Sequence, residues 1–294
     1  MTHLENSLDR AEGPTLGTLA RKEIGRYLRH PVFLVGLALV VLASAFGTDD
    51  WHSSTLDGLV PAAGLGLFGL IVMASLTKSS DRAAGAAGTV TTDQRTRTLA
   101  LAAAVVVPFV FALLWFARTV WIYNVSPPAA EATPFGDVSD TYMYMVMFNQ
   151  GVLSAIGGPL LGLVIARWIP RRGAAPVAVV LMVLVTILLQ GIFESIRYGR
   201  LVWPWTHFYG PMGIPDDPNR ALVLTGSPYW YAAYLLALCV IGVLVALLKD
   251  DESPREGLVK LLAVAGVVAV VLCVLAITGG YQETLVNPLP SGRE

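Results

Sequence analysis

The sequence predicts an all-α integral membrane protein, a bundle of about seven transmembrane helices. Of the 294 residues, 55% are hydrophobic and only 14% are charged, whereas a soluble domain carries about 25% charged residues. The charges lie in short clusters between long uncharged stretches. Because about 18 or more consecutive apolar residues can cross a bilayer as a helix, this pattern indicates repeated crossing and excludes an ordinary soluble domain.

Seven stretches meet this length criterion, and each is expected to span the membrane once. They are Pro31–Thr48, Leu59–Thr77, Leu99–Ile122, Met143–Ala166, Ala174–Phe193, Trp230–Leu248 and Leu261–Thr278. Only the third contains a charge, Arg118, which lies near its end between Trp115 and Trp121. Such an arginine can extend its guanidinium to the interface among the aromatic residues that prefer this depth.

The distribution of basic residues predicts a cytoplasmic N-terminus. In this orientation fifteen of the twenty Lys and Arg residues fall on the cytoplasmic side, and the outer loop Tyr123–Tyr142 contains no basic residue. Positive charge concentrates in the cytoplasmic loops of membrane proteins. The odd number of spans then places the tail Tyr281–Glu294 outside. Ala43-Ser44-Ala45 resembles a signal-peptidase site, but the 30 residues before its apolar run exceed a signal peptide's basic region.

The segment before the first span, residues 15–30, is predicted to form an amphipathic helix after a disordered cytoplasmic tail, residues 1–14. Basic residues fill one face of this helix, and apolar residues recur at helical spacing on the other: Leu16, Leu19, Ala20, Ile24, Tyr27 and Leu28. Such a helix lies in the headgroup layer. The alternative is a basic flank that only fixes the topology of the first span.

No constellation typical of catalysis, metal binding or ATP binding is present in the sequence. The four histidines, His3, His30, His52 and His207, are dispersed, and no two share a span, which argues against a haem or buried metal. The chain also has no G-x-x-x-x-G-K-[ST] loop. We therefore expect neither an enzyme nor a metal site in this chain.

One glycine motif is interpreted as a packing feature. Gly64-Leu-Gly-Leu-Phe-Gly69 matches the dinucleotide pattern G-x-G-x-x-G, but it falls in a predicted span with no strand before it and no acidic residue for a ribose. We expect these glycines to let a neighbouring helix approach closely. Gly158-Pro-Leu-Leu-Gly162 in the fourth span is interpreted in the same way.

Three polar residues near or within spans are Asn149, Gln150 and Gln190. In membranes such side chains form hydrogen bonds between helices, and they are also candidates for a substrate path. The two cysteines, Cys239 and Cys273, fall inside apolar stretches, where cysteine behaves as a small hydrophobic residue, so no disulfide is expected.

In order and spacing, four stretches resemble the permease subunits of type-2 ABC exporters, particularly those of high-GC Gram-positive bacteria. They are Leu19-Ala-Arg-Lys-Glu-Ile-Gly-Arg-Tyr-Leu-Arg-His-Pro31, Asp81-Arg82 through Arg95-Thr96-Arg97-Thr98-Leu99-Ala100, Ala166-Arg-Trp-Ile-Pro170, and Gly226-Ser227 leading to Trp230 and Tyr234. In that family the first is an elbow helix, the second the loop between spans two and three, and the third a short inner turn. The fourth follows a long outer loop that folds into re-entrant helices.

The resemblance implies a bacterial plasma-membrane protein that exports a drug, lipid, peptide or antibiotic. It would act as a homodimer or heterodimer of permease subunits with two cytoplasmic ABC ATPase subunits, which hold ATP and Mg²⁺, and no nucleic acid is involved. The coupling contact with the ATPase would involve Asp81, Arg82, Arg95 and Arg97. Residues 31–248 correspond to the six-span core, and residues 249–294 add an inner loop, the seventh span and an outer tail.

Two features depart from this family. Its members have six spans with both ends inside, and their loop carries Leu-Leu and Pro before the arginines, whereas this chain has Val90-Thr-Thr-Asp-Gln94. Three other functions remain open: a non-transporting membrane anchor or regulator, an ion-driven secondary transporter, and an intramembrane enzyme. The last two require ionisable groups at membrane depth, and the predicted spans contain none there.

Overall fold

The computed structural model describes residues 16–46, 60–86, 93–125, 139–192, 202–203, 212–214, 217–223, 226–250, 255–280 and 285–287. The helices are α1 Leu16–Leu28, α2 Pro31–Phe46, α3 Phe68–Ala86, α4 Gln94–Ala103, α5 Val106–Val125, α6 Asp140–Met147, α7 Ser154–Trp168, α8 Ala174–Ile192, α9 Pro228–Leu247 and α10 Arg255–Thr278. Two π-helical segments, Ala62–Leu67 and Phe148–Leu153, precede α3 and α7 without a break. Three short strands are β1 Met212–Ile214, β2 Asp217–Val223 and β3 Leu285–Asn287.

Helix α1 forms where an amphipathic helix was predicted, and it meets α2 at an angle of 59°. His30 stands at this bend, and its Nδ1 accepts a hydrogen bond from the Val32 backbone N–H at 3.3 Å, as an N-cap does. Pro31 begins α2, a position where proline loses no helical hydrogen bond. Burial, and then the charge of Arg26, lower the pKa of His30. The ring is therefore kept neutral, with Nδ1 available as an acceptor.

The third predicted span is one helical rod made of α4 and α5, with a break in the α-helix at residues 104–105. Pro108 has no N–H to donate to the carbonyl of Ala104, and its ring crowds that carbonyl. The Ala104 carbonyl accepts from the Val107 N–H at 3.1 Å instead, which tightens the backbone at residues 104–105. The break therefore has a local cause in the sequence.

Glycines pack α7 against α3 and the π-helical segment before it, as the sequence predicted. A Cβ atom added to Gly158 would overlap the backbone carbonyl of Gly66, and one added to Gly162 would overlap the carbonyl of Leu70. A Cβ atom on Gly66 would lie 2.8 Å from the carbonyl of Ser154. The two backbones thus approach as closely as small residues allow, which confirms that Gly64–Gly69 is a packing motif.

The two ends of the bundle are defined by their helix termini. At the Asp81 end, α3 and α7 end, α4 and α10 begin, and α9 ends. At the Tyr142 end, the side chain of Tyr142 donates to the Gly226 carbonyl at 3.0 Å, and the Ser227 N–H donates to the Ala276 carbonyl at 2.9 Å. The buried apolar core runs between these ends.

The sequence pattern predicts neither strands nor a sheet. Strand β2 pairs antiparallel with β1 and with β3, where Leu222 faces Val286 and Ala221 faces Asn287. The family resemblance implied re-entrant helices in this outer segment, and residues 212–214 and 217–223 are strands instead. The sheet joins the segment before α9 to the chain that follows α10, so the all-α description holds for the bundle but not for this cap.

Five described helical rods are long and apolar enough to cross a membrane: 62–86, 94–122, 140–168, 228–247 and 255–278. The bent pair of α1 and α2 makes a sixth, and α8, Ala174–Ile192, is a further apolar helix. Several long apolar helices indicate a multi-pass membrane protein. The predicted count of seven is not confirmed by these lengths.

Candidate functional site

Asp81 forms ion pairs with two arginines that come from different helices. Its Oδ1 accepts a hydrogen bond from Arg167 Nη1 at 2.6 Å, and Arg97 Nη1 lies 3.9 Å from the same oxygen. The Arg167 side chain is 3% exposed, whereas that of Asp81 is 41% exposed. A charge-assisted bond to a buried guanidinium is stronger than a neutral hydrogen bond. We call Asp81, Arg97 and Arg167 the Asp81 cluster.

Helix geometry places these three side chains together. Asp81 lies in the last turns of α3, Arg97 lies in the first turn of α4, and Arg167 lies in the last turn of α7. Asp93 caps α4 by accepting a hydrogen bond from the Thr96 N–H at 3.2 Å. Arg167 also stands where the helix dipole favours a cation. The cluster therefore joins three helices at one end of the bundle.

The cluster has more donors than acceptors. Nε of Arg97, and Nε and Nη2 of Arg167, are buried without hydrogen-bond partners. The Arg97 Nη1 contact at 3.9 Å exceeds hydrogen-bond length. One carboxylate thus serves two guanidiniums, and of the two Arg167 is the one within hydrogen-bond distance.

A second pair joins α1 to the same end of α3. Arg26 Nη1 donates to both carboxylate oxygens of Glu23, at 2.7 and 2.8 Å, which accounts for the burial of Glu23. Arg26 Nη2 donates to Ser79 Oγ. Ser79 precedes Asp81 by two residues, so the bent helix α1 is attached to the helix end that carries the Asp81 cluster.

The turn between α7 and α8 is bound to two other helices. Lys78 Nζ donates to the Arg171 carbonyl at 2.7 Å, and Trp168 Nε1 donates to the Val245 carbonyl at 2.9 Å. The ammonium of Lys249 lies 5.8 Å from the centre of the Trp168 ring, within the range of a cation–π contact. Polar contacts thus connect α1, α3, α4, α7 and α9 at the Asp81 end.

The four predicted coupling residues divide into two groups. Asp81 and Arg97 lie in the Asp81 cluster, whereas Arg82 and Arg95 are exposed. Arg82 Nε donates to the Lys78 carbonyl of its own helix, at 3.3 Å. Much of the predicted loop is helical, because α3 continues to Ala86 and α4 begins at Gln94, and residues 87–92 lie outside the described part.

The sequence pattern places Arg167 in the inner turn Ala166–Pro170 and predicts no partner for it. The available signal is Asp81 itself, an acidic residue four positions after the second predicted span, which requires a cation once its helix packs. Sequence spacing alone could not select Arg167 from the other arginines.

Two of the three predicted substrate-path residues, Asn149 and Gln150, lie in the second π-helical segment. Asn149 Nδ2 donates to the Pro228 carbonyl at 2.8 Å, whereas its Oδ1 is buried without a partner. Gln150 is buried beside it and has a partner. Gln190 falls within α8, but its side chain lies outside the described residues. Asn149 therefore acts as an interhelical hydrogen-bond donor and also presents a free acceptor, and π turns are frequent at functional sites.

The family resemblance implies that the long outer loop before Gly226 turns back towards the membrane, and residues 202–203 of this loop contact the helices. Tyr231 and Tyr234 of α9 donate to the carbonyls of Trp203 and Val202, both at 2.8 Å. Trp203 Nε1 donates to Thr186 Oγ1 of α8 at 3.0 Å. Residues 202–203 are thus inserted between α8 and α9.

Within the described ranges, no group of three His, Cys, Asp or Glu residues comes together as it would around a metal ion. Comparison of the chain with known proteins found no matching family model, no matching curated protein and no matching solved structure.

Proposed function

We propose that the chain is the membrane-spanning permease subunit of a type-2 ABC exporter. Two such subunits, identical or different, form the substrate path across a bacterial plasma membrane. Separate cytoplasmic ATPase subunits bind ATP and Mg²⁺ and hydrolyse ATP, so this chain is not itself an enzyme. The exported molecule is a drug, lipid, peptide or antibiotic.

The polar connections at the Asp81 end are the observation that supports this proposal most. An ATPase that moves the α3–α4 connection pulls on Asp81 and Arg97, and through Asp81 on Arg167 of α7. Ser79 transmits the same movement to Arg26 of α1. A coupled exporter needs such a connected helix end, because closure of the ATPase dimer must tilt whole helices as rigid bodies.

The division of the four predicted residues assigns them different roles. Arg82 and Arg95 are exposed and available to acidic groups of an ATPase. Asp81 and Arg97 transmit the movement of the α3–α4 connection to the helices of the bundle. Asn149 and Gln150, with Gln190, are the residues we assign to the substrate path, and the free Oδ1 of Asn149 is an acceptor for a passing donor group.

The proposed topology has seven crossings with a cytoplasmic N-terminus. Pairing of β3 with β2 supports it, since the chain after α10 then lies on the same side as the segment before α9. Helix α10 has 24 residues and a length of about 36 Å, enough for about 30 Å of hydrocarbon. The positive-inside pattern assigns the Asp81 end to the cytoplasm.

Affinity purification from the native membrane in mild detergent tests the proposal. We expect an ABC ATPase to co-purify and the complex to hydrolyse ATP. The double variant Arg82→Glu/Arg95→Glu reverses the exposed charges of the α3–α4 connection, and we expect it to lose the ATPase while still inserting and folding.

The matched control is Arg172→Glu, an exposed basic residue on the same side outside the α3–α4 connection. It should retain the ATPase. Recovery of the wild-type chain without any ATPase would favour a membrane anchor or an ion-driven transporter. Equal ATPase recovery with all three proteins would contradict the coupling contact, even if the exporter assignment survived.

A further inference from the structure

A groove runs between α2 and α5 near the Tyr142 end, with a volume of about 380 Å³. Its walls are apolar side chains of both helices, including Leu37, Val41, Phe111 and Leu114. Val41 and Leu114 are exposed. In a bilayer this groove therefore faces the acyl chains rather than the centre of the bundle.

Three polar residues, Ser44, Trp115 and Arg118, line the same groove. Each contributes a buried polar atom without a hydrogen-bond partner, namely Ser44 Oγ, Trp115 Nε1 and Arg118 Nη1. The other terminal nitrogen of Arg118 donates to the Ser44 carbonyl at 2.8 Å. This bond holds the guanidinium against the end of α2, where helix carbonyls lack partners within the helix.

All three groups can donate hydrogen bonds, and two of them cannot accept any. An indole N–H and a guanidinium can only donate hydrogen bonds, and a serine hydroxyl can donate one as well. No Asp or Glu among the described residues lines the groove. The complementary ligand therefore offers several acceptor oxygens and a negative charge, at the end of an apolar body that fits the groove.

We propose that this groove binds an anionic phospholipid, with one acyl chain along α2 and α5 and the phosphate at Arg118. The phosphate oxygens accept hydrogen bonds from Arg118, Trp115 and Ser44, and the lipid belongs to the leaflet at the Tyr142 end. A lipid fits better than a soluble anion because the groove is apolar and faces the bilayer. The inference requires that the chain spans a membrane, but it does not depend on export.

Native mass spectrometry of the purified chain provides the test. Phosphatidylglycerol and phosphatidylcholine with identical acyl chains are added in turn, and the lipid-bound fraction is measured. We expect tighter binding of phosphatidylglycerol by the wild type. Arg118→Gln should weaken it by about tenfold or more, the range for loss of a charged hydrogen bond. Leu114→Trp, which fills the groove and retains the charge, should weaken binding of both lipids.

Arg172→Gln is the matched control, since it removes an exposed arginine at the opposite end, and it should bind phosphatidylglycerol like the wild type. Displacement of the lipid by inorganic phosphate at millimolar concentration would show a soluble-anion site and overturn the proposal. Undiminished phosphatidylglycerol binding by folded Arg118→Gln would overturn it as well. If Arg118→Gln fails to fold, unchanged binding by Leu114→Trp has the same consequence.

Discussion

At the scale of single residues, Asp81 is bound to Arg167 by a hydrogen bond and to Arg97 by a longer ionic contact. The two contacts differ in strength, because only the first has hydrogen-bond length. Removing the shared carboxylate leaves two guanidiniums side by side at a buried helix end. Removing one partner of such an ion pair lowers the free energy of unfolding by more than the intact pair contributes, because the other charge stays buried without compensation.

We expect Asp81→Asn to lower the free energy of unfolding by about 2 kcal/mol, the cost of losing hydrogen bonds to a charged group. The exposure of Asp81 keeps the cost below that of a fully buried pair. Thermal unfolding in detergent, followed by loss of the monodisperse peak in size-exclusion chromatography, measures the change.

A matched control is Glu256→Gln in α10. Glu256 accepts from Lys260 at 2.6 Å, but the two side chains are 84% and 74% exposed, and exposed pairs of this kind contribute about 0.5 kcal/mol or less. Equal unfolding temperatures for the two variants would contradict the structural role of the Asp81 cluster.

The sequence predicts Asp81 and Arg97 as site residues but does not predict Arg167. The reason is geometric. A resemblance in order and spacing identified the α3–α4 connection, whose residues are close in the chain. Arg167 is 86 residues from Asp81, and it reaches the carboxylate only because α7 packs directly on α3. Which of several arginines meets a carboxylate depends on that packing.

At the scale of elements, the close contact of α3 and α7 depends on glycine backbones at Gly66, Gly158 and Gly162. Close approach in membranes is stabilised by dispersion between backbones, because lipid tails are as apolar as the side chains they replace. A methyl group at this contact forces the helices apart and changes the geometry at the Asp81 end.

We expect Gly158→Ala to lower the free energy of unfolding by about 1–3 kcal/mol, as overpacking does in a rigid interface. The added methyl group would overlap the Gly66 carbonyl, which cannot move without its helix. Denaturant unfolding in mixed micelles, followed by tryptophan fluorescence, measures the effect.

Gly266→Ala in α10 is the control. A Cβ atom at Gly266 meets nothing within 4 Å, and alanine is favoured over glycine within a helix by about 1 kcal/mol. This variant should be neutral or more stable than the wild type. A loss of stability as large as that of Gly158→Ala would show that the helix contact is not responsible.

Element positions could be predicted better than element shapes. Runs of apolar residues located each long helix, and Pro108 contained the local information for the break after α4. The π turns and the sheet could not be predicted in this way. Of residues 285–287, two are apolar and one is polar, and they pair with β2 because α10 returns the chain to that side.

At the scale of the whole molecule, the topology depends on whether α10 crosses the bilayer. Strands β2 and β3 pair the segment before α9 with the segment after α10. Helix α10 packs along α9, and most of its surface is exposed. A crossing α10 accounts for both observations, since its valines then face lipid.

We expect cysteines at Leu222 and Val286 to form a disulfide under mild oxidation, because these residues face each other in the β2–β3 ladder. The free cysteines Cys239 and Cys273 are first replaced by alanine. A shift in electrophoretic mobility that is reversed by reductant measures the bond.

Accessibility of single cysteines supplies the control. A membrane-impermeant maleimide should label Ser126→Cys and Ser291→Cys from outside intact cells, and it should not label Ser80→Cys. Labelling of position 291 only after the cells are opened would mean six crossings and would be incompatible with the β2–β3 pairing.

The number of spans was the prediction that sequence could support least. Hydropathy counts apolar runs, but it does not show that the first span is a bent pair of helices, α1 and α2. The distribution of basic residues then assigns the loops between these runs to one side of the membrane or the other. Neither hydropathy nor charge distribution indicates that strands β2 and β3 join the two ends of the α9–α10 hairpin.

The π turn at Phe148–Leu153 has a consequence for how this chain could be altered. A π turn holds one residue more than an α-helical turn, so it behaves as a single-residue insertion whose flanks keep their rotational phase. Deleting that surplus residue lets α-helical bonding continue from α6 into the first turn of α7, with Tyr142 and Arg167 still facing their partners. This deletion therefore keeps the helices of the bundle in place and moves Asn149 away from its present position.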